Sequence, residues 1–155
     1  MILRFVEGSG LTSKVIIAQE KTAMPFTPSH VEAVTPEGMY LGAHMDGGVP
    51  ARTPGYDKSE MTNELFLTLE AALAQDTSFY NYLTKHIGEP YDWPAIIGFV
   101  LPIHGHIPGH TICSALIAMG LRTCGWFPYP LAAPAHLIDP RDLLLLLSSR
   151  MKVPM

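Results

Sequence analysis

Charge is scarce in this chain, and neither sign accumulates. Charged residues make up 15% of its 155 positions and the formal net charge is −4, so no basic stripe exists to attract a phosphate backbone at long range. Nucleic acid is therefore not an expected partner. Cysteine is scarcer still. Cys113 and Cys124 lack the paired spacing of a zinc ribbon, and two cysteines make no disulfide framework, so a reduced, cytoplasmic setting is expected. The start, Met1 to Gly8, lacks the basic residues, apolar stretch and small-residue cleavage site of a signal peptide. Long apolar runs are missing too: Ile96 to Ile103 is broken by Gly98 and Pro102, and Leu143 to Leu147 falls far short of the ~20 residues that span a bilayer. No transmembrane segment is expected. There is no low-complexity tract and no repeat.

What the chain does have is apolar content and punctuation. With 48% hydrophobic residues it can bury one good core, and its length suits a single domain over residues 1–155. Prolines and glycines recur throughout, which predicts short elements joined by loops. Residues 2 to 7 read as a strand, and Ser13 as the cap of a short helix reaching about Thr22. His30 to Val34 and Met39 to His44 read as strands around Pro36-Glu37-Gly38, a loop preset for a hairpin by its proline and its glycine. Pairing Thr35 with Met39 sets a register that brings His30 opposite His44 on one face. Glu64 to Leu69 suggests a further strand. Asp76 or Thr77 is expected to cap a helix ending near Gly88, and Trp93 to Val100 to form a short apolar one. Thr111 is the expected cap of a helix with Cys113 in its first turn. Asp139 and Pro140 open a last, leucine-rich helix.

Cys113 draws attention because only a thiolate attacks, and a thiol whose ordinary pKa is about 8.5 ionises more readily in positive potential. The first turn of a helix supplies such potential, and its free N–H groups can hold an oxyanion. A nearby imidazole must take the proton and a third group must orient that imidazole. His30 and His44 fit these roles. A core cysteine and ordinary strand histidines would give the same pattern. A weaker constellation is His104, His106 and His110, whose spacing could gather three imidazoles on zinc; no metal is expected there, and His110 is expected as a loop residue beside the active site. Trp126 to Pro130 reads as packing, and Asp46-Gly47-Gly48 lacks the setting of a phosphate loop.

Ser29-His30-Val31, then Gly88-Glu89-Pro90-Tyr91-Asp92, then Cys113-Ser114-Ala115-Leu116-Ile117, occur in that order. In this the chain resembles the circularly permuted papain-like hydrolases of the NlpC-type cell-wall peptidase superfamily, in the branch of YiiX-like proteins and lecithin:retinol acyltransferase. The resemblance implies an α+β fold in which an antiparallel sheet or partial barrel carries the histidines and a helix presents the nucleophile at its N-terminus. It also implies Cys113 as nucleophile, His30 as base and His44 as orienting group. Tyr91 and Asp92, with His110 and Thr111, would support the site or bind substrate. Two positions depart from the pattern: Ala115 stands where an acidic residue is common, and His44 where glutamate often is. The implied activity is a cofactor-free cysteine peptidase or amidase acting on a bacterial or phage cell-wall peptide through a thioester. A lipid acyl hydrolase or acyltransferase, and a peptide- or lipid-binding module without catalysis, are the alternatives.

Overall fold

The computed structural model describes residues 1–10, 13–14, 26–100 and 105–149. Strands β1 (Ile2–Gly8), β2 (His30–Val34), β3 (Tyr40–Leu41), β4 (Ala51–Arg52) and β5 (Met61–Thr68) form one antiparallel sheet in the order β4-β3-β2-β1-β5. The helices are α1 (Leu73–Lys85), α2 (Trp93–Val100), α3 (Cys113–Thr123) and α4 (Pro140–Ser148), with a 3-10 turn at Ala135–Leu137. The fold is α+β, as expected. Beyond Lys14, the helix predicted from Ser13 lies outside the described residues. No helix among the described residues is long and apolar enough to cross a membrane.

Alternation along the strands separates a core face from a polar one. Val31 and Ala33 of β2 pair with Phe5 and Leu3 of β1, and all four are buried beneath the helices. Leu116, Ile117 and Leu121 of α3 join them in one cluster with Phe79 and Leu83 of α1. Helices α1 and α3 approach closely at Gly120, where a Cβ would lie 3.0 Å from the Phe79 ring. Any larger residue would force the two helices apart.

The hairpin has the expected register. Thr35 N–H donates to Met39 at 2.8 Å, Gly38 takes φ +80°, and Val34 pairs with Tyr40 and Ala33 with Leu41. Strand β3 stops at Leu41, however, and His44 sits in a separate turn bridged to Gly48. That turn requires glycine at its close: Gly48 has φ +69°, and a Cβ there would fall 2.1 Å from the Glu89 carbonyl oxygen. Val49 N–H donates to the same oxygen at 3.0 Å, fastening the turn to the segment before Tyr91.

Three boundaries differ from expectation. Strand β5 begins at Met61, because its pairing with β1 continues to Gly8 through polar, exposed residues that show no alternation. Helix α1 begins at Leu73 instead of after Asp76 or Thr77, with Gln75 Oε1 accepting from Ala72 N–H at 3.2 Å. Thr111 does not cap α3. Its hydroxyl donates to the Ile112 carbonyl, and Ile112 occupies the cap position with extended backbone. Asp139 does cap α4, accepting from Asp142 N–H at 2.6 Å.

Candidate active site

Residues two apart in a strand share a face, so His30 and Glu32 project together from β2. The β1 pairing places Arg4 opposite Glu32. Its guanidinium donates to Glu32 Oε1 at 2.5 Å, to both Asp57 oxygens at 3.0 and 3.1 Å, and to Glu64 Oε2 at 2.7 Å. It also lies 4.5 Å from the Tyr40 ring centre. Arg4 and Glu32 are both buried. Burial alone would favour the neutral acid, but the two imidazoles and Arg4 outweigh it and hold the Glu32 carboxyl well below the usual range.

The other oxygen, Glu32 Oε2, collects three neighbours. Tyr56 O–H donates to it at 3.1 Å, while His30 Nε2 and His44 Nε2 stand 3.5 and 3.4 Å away. The imidazole centroids are 4.6 Å apart. His44 Nδ1 is 3.4 Å from the Tyr56 hydroxyl. Burial lowers the pKa of His44, and the nearby charges of His30 and Arg52 lower it further, against the pull of Glu32. The structure brings His30 and His44 together and sets Glu32 beside both Nε2 atoms.

Cys113 is the first residue of α3, and its side chain is a partner of His30. Burial opposes charge on His30, yet Cys113 and then Glu32 outweigh it and raise its pKa to about 10. The next residue, Ser114, fastens the helix start by donating its hydroxyl to the Ile138 carbonyl at 2.6 Å.

Tyr91 reaches this centre through a short parallel bridge to Thr111, in which Asp92 N–H donates to Thr111 and Thr111 N–H to Pro90 at 3.0 and 3.1 Å. It is buried, and burial followed by the neighbouring Cys113 raises its pKa. A cavity of 290 Å³ opens against His30, His44, Tyr56 and Tyr91, with Asp46, Asp57, Glu60 and Arg52 among its polar walls. Cys113 is not among its lining residues and is 3% exposed.

The remaining sequence candidates face elsewhere. Asp92 accepts from Ala95 N–H at 3.2 Å, capping α2, and its second oxygen binds His106 Nδ1. His110, Thr111 and Asp92 line a different cavity of 310 Å³, together with His86 and the stacked rings of His106 and His136. His104 lies outside the described residues. Among the described residues, the one group of three side chains spaced to hold a metal ion is His30, Glu32 and His44. Sequence reasoning overlooked Glu32, although its position two after His30 was legible. Arg4 and Tyr56 carried no such local signal.

No family model matches the chain, and no curated protein matches it significantly.

Proposed function

We propose that this protein is a cysteine hydrolase with Cys113 as nucleophile, His30 as base and Glu32 as the group that orients His30. The observation that carries the reading is the pairing of His30 with Cys113 at the first residue of α3, with His30 backed by a buried carboxylate. Cys113 Sγ attacks a carbonyl carbon while His30 keeps the thiol proton. The free N–H groups of the first turn receive the oxyanion. As the tetrahedral adduct collapses, His30 protonates the leaving nitrogen and a thioester remains. His30 then takes a proton from water, whose oxygen releases the acyl group and restores the thiol.

Together with the resemblance to permuted papain-like hydrolases, this favours an amide in a cell-wall peptide over an acyl lipid. The cavity supports the same choice, since polar side chains, among them Asp46, Asp57, Glu60 and Arg52, line it and suit a peptide better than a hydrocarbon chain.

Competitive alkylation tests the reading without a substrate. Both cysteines are buried, Cys113 at 3% and Cys124 at 8% exposed, so access alone gives Cys113 no advantage. At pH 6, iodoacetamide is expected to label Cys113 at least ~10-fold faster than Cys124, and His30→Ala to abolish the difference. Equal, slow labelling in the wild type would overturn it.

A further inference from the structure

The contacts of the two imidazoles with Glu32 are too long for charge-assisted hydrogen bonds, which lie at about 2.7–2.9 Å. At 3.5 and 3.4 Å they also have the spacing of two ligands on one metal ion. Zinc bonds of about 2.0–2.1 Å in tetrahedral geometry place neighbouring ligand atoms about 3.3–3.4 Å apart. Both Nε2 atoms are also buried without a hydrogen-bond partner among the described residues. We propose that His30 Nε2, His44 Nε2 and Glu32 Oε2 form a zinc site.

One ligand atom from each of the three residues lies within 4.8 Å of the others. Two imidazoles and one carboxylate are a donor set that zinc accepts, leaving a fourth position for water or a ligand. That position has access through the 290 Å³ cavity, which His30 and His44 line. The surroundings fix the ligands as metal sites require: Arg4 holds Glu32 Oε1 at 2.5 Å, and Tyr56 stands 3.4 Å from His44 Nδ1. Charge favours a cation as well, because Arg4 faces three carboxylates, those of Glu32, Asp57 and Glu64.

The binding does not rest on the cysteine-hydrolase reading.

The test uses the full chain, titrated with zinc alone against a chromogenic chelator, and with cobalt(II) for its tetrahedral absorption bands. One ion per chain is expected, bound at least ~10-fold more weakly by His44→Ala and unchanged by Cys113→Ser. Tyr56→Phe, which keeps all three ligands, is expected to weaken binding less and guards against a His44 variant that does not fold. Absence of binding, or binding that follows Cys113 and ignores His44, would overturn the site. A reactive Cys113 that binds no zinc removes this proposal and leaves the hydrolase reading standing. An inert Cys113 with zinc held by His44 removes the hydrolase reading and leaves the site.

Discussion

Glu32 decides the character of the polar face. Its carboxylate is buried, yet it stays ionised because a guanidinium holds one oxygen and two imidazoles and a phenol surround the other. A carboxyl held below its ordinary pKa in the folded state contributes stability above its unfolded value of about 4.5, and that contribution disappears as pH falls through the folded value. Wild-type stability, followed by urea unfolding, is therefore expected to fall below pH 4.5 more steeply than that of Glu32→Gln. Parallel acid limbs for the two proteins would contradict the assignment. The carboxylate comes from the strand of His30 itself, and His44 reaches it from a turn.

Among the elements, the β2–β3 hairpin sets the geometry of the site. Its register was readable because proline and glycine bracket a three-residue loop, and the structure has that register at both ladder pairs. The hairpin needs glycine at position 42, where a Cβ would fall 2.8 Å from the Glu32 Cβ and 3.3 Å from the Val31 carbonyl oxygen. Gly42→Ala is expected to cost about 1–3 kcal/mol by overpacking. It should also slow Cys113 alkylation by displacing Glu32, whereas unchanged alkylation would separate the hairpin from the chemistry. Thr111 was not legible as it stands. Its type suits a cap, but pairing with Tyr91 fixes its backbone and its hydroxyl turns to Ile112. The start of α1 was misplaced for a related reason, since Asp76 and Thr77 are good caps by type while Gln75 secures an earlier one.

Across the whole molecule, Arg4 joins the parts. It stands on β1, binds β2 through Glu32, β5 through Glu64 and the intervening loop through Asp57, and is buried throughout. Removing one member of such a network leaves uncompensated charge inside the protein. Arg4→Met is expected to lose about 3–5 kcal/mol in denaturant unfolding. A loss under 1 kcal/mol would mean that the network is solvated and that Glu32 needs no guanidinium.

Local signals in the sequence determined the hairpin register and the capped terminal helix. Each depends on neighbours along the chain: alternation in strands, a proline and glycine in a turn, an aspartate before a helix. The pairing of β1 with β2 was decided only in three dimensions, and with it the placing of Arg4 opposite Glu32. So were the approach of Tyr56 and the division of Tyr91 and Asp92 between two cavities. A polar side chain's partner is set by the closing of long loops, over separations of 28 residues for Arg4–Glu32 and 60 for Arg4–Glu64, and no periodicity in the sequence records that distance.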